Sequence, residues 1–169
     1  MIIQLNEMLE IPGKTSSFEV PFEEDHILTY PVKQRSMTRL TVHHKKDRQI
    51  DITGHLTLSV EMPCDRCLSM VEVTVDQDIE RSVDLTEGRD EDGEPCEFAL
   101  KDAIDTQLLF EEAILENLPM KVLCREDCKG LCPVCGADLN KGPCGCETVK
   151  APTRMQEALM KALQNKDKK

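Results

Sequence analysis

Tryptophan is absent and tyrosine occurs once, so aromatic side chains make up only 3% of this 169-residue chain. A core must therefore be aliphatic, and the 40% apolar content suffices for one domain with a small satellite. Long apolar runs are missing as well, so no segment reads as a membrane span and no membrane partner is expected. The opening residues Met1-Ile-Ile-Gln-Leu-Asn-Glu show no basic region, no apolar run of seven and no small-residue cleavage site. Nothing here reads as a secretory signal, and the expected compartment is the cytoplasm. Positive charge is in deficit, with 21 Lys and Arg against 32 Asp and Glu and a net charge of −11. The average field of such a chain does not attract nucleic acid.

Catalytic motifs are lacking too. Gly13-Lys14-Thr15 resembles the end of a phosphate loop, but Met8 stands where the first glycine is required. There is no Gly-x-Ser-x-Gly and no His-Glu-x-x-His, and no pattern pairs His26, His43, His44 or His55 with a nucleophile. The expectation is a non-enzyme with no catalytic residue and no small-molecule substrate.

Cysteine, by contrast, is abundant and ordered. Eight of the nine cysteines form four close pairs, Cys64/Cys67, Cys124/Cys128, Cys132/Cys135 and Cys144/Cys146. Two close pairs supply the four thiolates of a tetrahedral zinc site. The strongest element is Cys132-Pro-Val-Cys135-Gly136, because Pro and Gly let the backbone turn tightly and aim both sulfurs inward. Its natural complement is Cys144-Gly-Cys146 across a turn-rich stretch, which leaves Cys64/Cys67 to pair with Cys124/Cys128 in a second site. One or two structural zinc ions are expected, with the assignment of pairs to sites left open. A disulfide framework would need an oxidising compartment. A redox pair at Cys64/Cys67 would need a helix start, but apolar residues alternate as Leu56, Leu58, Val60 and Val71, Val73, Val75 on either side, which reads as a hairpin. Cys96, alone in an acidic stretch, reads as an incidental exposed thiol.

Charge is unevenly placed. Residues 33–48 carry Lys33, Arg35, Arg39, Lys45, Lys46 and Arg48 against Asp47 alone, the best candidate for a phosphate-facing strip; the bland alternative is a strand edge guarded by cations. The C-terminal tail is also basic, a composition that often serves only solubility. Residues 84–97 are acidic and read as a flexible loop, and their spacing fails the EF-hand pattern.

Strands are predicted near residues 1–6, 17–21, 27–33, 38–44, 50–62 and 70–80. Asp105 can cap a helix over 105–117, with Leu108, Leu109, Ala113, Ile114 and Leu115 as its apolar face and Leu118-Pro119 as its end. The fold class is α+β: a mostly antiparallel β body with one main helix, a Cys-rich zinc-binding module and a C-terminal helix. The expected division is a β-rich body over 1–121, a zinc module over 122–149, and an amphipathic helix with basic tail over 150–169.

The residues Cys64-Asp-Arg-Cys67-Leu68 after a strand, a helix ending in Leu118-Pro119, and Cys128-Lys-Gly-Leu-Cys132-Pro-Val-Cys135-Gly136-Ala-Asp-Leu-Asn140 with Cys144-Gly-Cys146 resemble the YceD family of bacteria and plastids, the large ribosomal RNA subunit accumulation proteins. The resemblance implies a cytoplasmic, non-catalytic factor acting in large-subunit ribosomal RNA processing or ribosome assembly, on an α+β fold. The implied partner is a large-subunit ribosomal RNA precursor or pre-ribosomal particle. Three hypotheses follow: an RNA-binding assembly factor using the 33–48 cations, aided by Arg66 or Lys129; an adaptor docking on a ribosomal protein or processing enzyme; and a thiol redox or metal-sensing protein.

Overall fold

The computed structural model describes residues 1–146. The amphipathic helix expected over 150–169 and the last residues of the expected zinc module lie outside the described residues. The chain divides into two compact units, Met1–Cys128 and a second beginning at Lys129; Cys124 and Cys128 belong to the first.

In chain order the first unit contains β1 (Ile2–Gln4), α1 (Asn6–Leu9), β2 (Thr15–Pro21), β3 (His26–Ile27), β4 (Tyr30–Arg35), β5 (Met37–His44), β6 (Gln49–Pro63), β7 (Met70–Asp84), β8 (Arg89–Asp90), β9 (Ala103–Asp105) and α2 (Thr106–Asn117). All strand pairings are antiparallel, as expected for a chain whose apolar residues alternate over short runs. β6 and β7 form a hairpin paired from Gln49↔Asp84 to Pro63↔Met70. On its other side β6 is shared: β5 pairs with it as far as Leu40↔Gly54, and β4 takes over from Arg35↔Leu58. Gly54 marks the changeover, since a Cβ there would lie 2.7 Å from Leu40 Cδ2 and 3.1 Å from the Arg39 carbonyl. Only glycine lets the two backbones approach this closely.

The core is aliphatic with three buried phenylalanines, Phe22, Phe98 and Phe110. β5 alternates cleanly, burying Thr38, Leu40, Val42 and His44 and exposing Met37 and Arg39. Its sequence hides that period, because two of the four inward positions are polar. Asp105 caps α2 as expected, its carboxylate accepting from Gln107 N at 3.0 Å. The helix buries Thr106, Leu109, Phe110, Ala113 and Ile114, while Leu108 and Leu115 face outward. A 3.6-residue period groups 106, 109, 110, 113 and 114 on one face and turns 108 and 115 off it, so Phe110 supplies packing that the expectation gave to Leu108 and Leu115. Arg81 of β7 reaches Glu112 and Glu116 and ties the helix to the sheet.

The acidic stretch 84–97 differs from expectation. Cys96 is buried, not exposed, and burial pushes its thiol pKa up. Leu85 and Phe98, both buried, anchor the two ends of the stretch. Between them Cys96 N bonds to Gly88 O, and the Asp90 carboxylate accepts from Asp92 N and Glu94 N. The acidic residues supply turn-forming bonds of their own, so the segment is a folded turn.

In the second unit, Leu139 N donates to Gly130 O, and Asn140 Oδ1 accepts from Lys129 N at 2.8 Å. Cys132 is its one buried hydrophobic side chain among the described residues.

Candidate metal centres

Two four-cysteine groups form, Cys64/Cys67/Cys124/Cys128 and Cys132/Cys135/Cys144/Cys146; the sulfurs of each lie within 4.8 Å of one another, and each set could hold a metal ion. The sulfur separations fit a tetrahedral ion. Cys64 and Cys128 Sγ are 3.8 Å apart and Cys67 and Cys124 Sγ 3.6 Å, and zinc–sulfur bonds of about 2.3 Å set tetrahedral sulfurs about 3.8 Å apart. Both distances are far beyond a disulfide bond of about 2.05 Å.

The same backbone device presents the leading pair in both sets. At the β6–β7 turn, Cys64 N bonds to Ser69 O at 2.8 Å and Leu68 N to Cys64 O at 2.9 Å; in the second unit, Cys132 N bonds to Ala137 O at 2.8 Å and Gly136 N to Cys132 O at 2.9 Å. The residue after the second cysteine is left-handed in each, with φ of 60° at Leu68 and 71° at Gly136. Glycine takes that conformation freely, whereas leucine is strained there by about 1–2 kcal/mol.

Around the first set, the two residues between the leading cysteines fix the trailing pair. Asp65 bonds through its backbone N–H to Val122 O at 2.9 Å and through its carboxylate to Val122 N at 2.7 Å. Arg66 donates to the Cys128 carbonyl at 2.8 Å, so a residue considered as an aid to RNA contact braces the metal site. These supporting roles were not read from the sequence, although a charged pair inside a Cys-x-x-Cys turn was visible there. Ser69 Oγ lies 3.1 Å from Cys67 Sγ.

Electrostatics divide each set. Burial pushes the Cys64 thiol up, but backbone N–H groups of Arg66, Cys124 and Cys67 outweigh it and bring the pKa to about 6. Cys132 falls to about 6 under the N–H groups of Cys135 and Val134. Cys124 is pushed up to about 12 by burial and its cysteine neighbours, and Cys146 to about 12 by Cys135 and burial. Without an ion each set therefore retains protons, which an incoming cation displaces.

The six cations of residues 33–48 are not one patch. Lys33 pairs with Glu61 at 2.7 Å, Arg35 with Asp25 at 2.8 Å, Arg39 with Glu19 at 2.9 Å, Lys45 with Asp51 at 2.7 Å, and Arg48 with Asp102. Lys46 alone of the six has no ion pair among the described residues. The partners Glu61 and Asp51 stand ten residues apart on β6, which separates the Lys33 and Lys45 ends by up to about 33 Å at about 3.3 Å per residue. No helix among the described residues is long and apolar enough to cross a membrane.

A family model described as "Large ribosomal RNA subunit accumulation protein YceD" matches residues 52–164, which takes in all eight paired cysteines. Uncharacterized proteins of Mycobacterium bovis and of Mycobacterium tuberculosis are 31% identical over 99 residues, covering 54% of this chain and 46% of theirs. The chain thus spans about half the length of the curated relatives it matches. No solved structure matches it.

Proposed function

The chain belongs to the YceD family, and on that premise we propose that it is a non-catalytic, cytoplasmic factor in large-subunit ribosomal RNA accumulation, acting in precursor processing or ribosome assembly. Two structural zinc ions are held, one by Cys64, Cys67, Cys124 and Cys128, the other by Cys132, Cys135, Cys144 and Cys146. The observation that carries the zinc reading is the closure of two all-sulfur sets, each with four donors. Four thiolates suit zinc better than hard cations and leave no open position for a reacting water, which supports a scaffold over a catalyst. Its partner is a pre-ribosomal particle, reached chiefly through protein contact with a ribosomal protein or processing enzyme. The carboxylate pairing of Lys33, Arg35, Arg39, Lys45 and Arg48 supports that order, because phosphate contact by these side chains requires giving up an existing partner.

Direct RNA contact is the second reading. Lys45, Lys46 and Arg48 crowd the turn between β5 and β6 and favour it. In that case affinity for ribosomal RNA falls steeply with salt.

Elemental analysis of protein purified under reducing conditions should return about two zinc ions per chain with eight protected thiols. In cells depleted of the chain, large-subunit ribosomal RNA should fall relative to small-subunit RNA and recover with the intact gene. An unchanged RNA ratio would overturn the assignment of function, and freely titrating thiols without metal would overturn the zinc sites.

A further inference from the structure

β7 pairs with β6 along its whole length, but on its other side only Val83 and Asp84 are paired, with β8. The stretch 70–76 is therefore an open sheet edge. The orientation of its backbone follows from its neighbour. Thr57 stands opposite Asp76, yet the Thr57 carbonyl accepts from Ser36 N on the far side of β6 at 3.2 Å. Thr57 and Asp76 are thus a non-hydrogen-bonded pair, and the Asp76 N–H and C=O face away from β6. By the same alternation the backbone groups of Met70, Glu72 and Thr74 face away too. Among the described residues no backbone partner meets them. Further along, the outward carbonyls of Asp78 and Glu80 accept from the side chains of Gln77 and Arg81, which ends the open stretch.

The side chains of this stretch are sorted by face. Met70, Glu72, Thr74 and Asp76 are exposed, while Val71 and Val73 are partly buried against the core and Val75 is fully buried. No Lys or Arg forms an ion pair with the carboxylates of Glu72, Asp76, Asp78 or Glu80 among the described residues; the imidazole of His55 lies 2.8 Å from Asp76 and 2.7 Å from Asp78 and pairs with them as an ion only when protonated. Exposed Leu68 and Met70 begin the row.

We propose that the open 70–76 edge of β7 binds an extended, basic polypeptide segment by strand addition. The outward N–H and C=O groups supply main-chain bonds, and alternate side chains of the incoming strand meet the two faces. Lys or Arg at every second position would face Glu72 and Asp76, and apolar residues between them would extend the Val71 and Val73 surface. The same charges select against a second copy of this chain, because antiparallel self-pairing here sets carboxylates against carboxylates.

The test uses the full-length, metal-loaded chain and a blocked peptide of alternating lysine and valine, seven residues long, with an alternating glutamate–valine peptide as control. Amide hydrogen exchange should slow at Glu72, Thr74 and Asp76 when the lysine peptide is added and not with the control. Glu72→Lys combined with Asp76→Lys should weaken binding at least tenfold. Thr74→Pro, which removes one outward N–H at a position where an edge strand tolerates proline, should abolish the added protection; if that variant misfolds, the charge reversal carries the test. Binding unchanged by the charge reversal, protection located elsewhere, or protection caused by self-association would each overturn the proposal.

Discussion

The first four-cysteine set closes against a body whose β6 and β7 bury Ile50, Ile52, Leu56, Leu58, Val60 and Ile79, whereas the second sits in a unit where Cys132 is the one buried hydrophobic side chain among the described residues. Both leading pairs use the same turn. The difference lies in what surrounds them. A sheet core of this size gives the first unit a source of stability independent of any ion. The described residues around the second set bury little apolar surface to offset their ordering entropy, so under the proposed zinc reading an ion would do there much of what a core does in the first unit.

The largest effect should come from breaking the second centre. Cys132→Ser should abolish amide protection across residues 129–146 and remove about one zinc, since metal-binding free energies of about 10–16 kcal/mol in such modules are folding free energy. Protection in β5, β6 and β7 should persist. Native protease resistance in the second unit of this variant would end the contrast between the units. Next in size is Ile52→Ala, a deletion in the sheet core expected to cost about 2–5 kcal/mol. Denaturant unfolding should show the loss in the first unit with both ions retained; a loss of zinc from the second set would show that the two units do not stand on separate footings.

A smaller effect sharpens the comparison of the turns. Leu68→Gly removes left-handed strain of about 1–2 kcal/mol but adds unfolded-state entropy of about 1 kcal/mol, so the first unit should be unchanged or stabilised by up to about 1 kcal/mol. A marked destabilisation would mean that the exposed leucine side chain makes contacts that hold the turn. The smallest effect concerns the outer face of β6 and β7. Asp78, a hydrogen-bond partner, with Asp76 beside it, raises the pKa of His55. A raised folded-state pKa means that the contribution of this group is present below the unfolded value and is lost as pH rises through the folded value. A proton-detected titration of the imidazole should give a midpoint above the ordinary histidine value, and His55→Gln should remove this pH dependence while leaving both zinc ions bound.

The comparison also shows where the sequence was readable. Both turn motifs were, because a Cys-x-x-Cys followed by a left-handed residue needs only local geometry, and the α2 cap at Asp105 is local for the same reason. Lys33, Arg35 and Arg39 read either as part of a phosphate-facing strip or as the guard of a strand edge; their carboxylate partners Glu61, Asp25 and Glu19 lie 28, 10 and 20 residues away and are set by strand register and turns. Charge pattern alone does not encode that register. Cys96 was misread because acidic neighbours outweighed the two anchors, Leu85 and Phe98, that draw it inward. A strand near 38–44 was expected and β5 is there, but its inward face was hidden by the buried Thr38 and His44, polar residues that a hydrophobic pattern counts as outward.

The sulfur contacts of the first centre join residues 57 and 64 positions apart, Cys67 to Cys124 and Cys64 to Cys128. At translation rates of about 5–20 residues per second, Cys64 and Cys67 emerge roughly 3–13 seconds before their complementary thiols exist. The whole second set spans Cys132 to Cys146 and is synthesised in roughly 1–3 seconds at the same rates. The set embedded in the sheet-cored unit is therefore the one whose thiols wait longest during synthesis, and that interval is when oxidation or capture by a foreign ion competes with assembly.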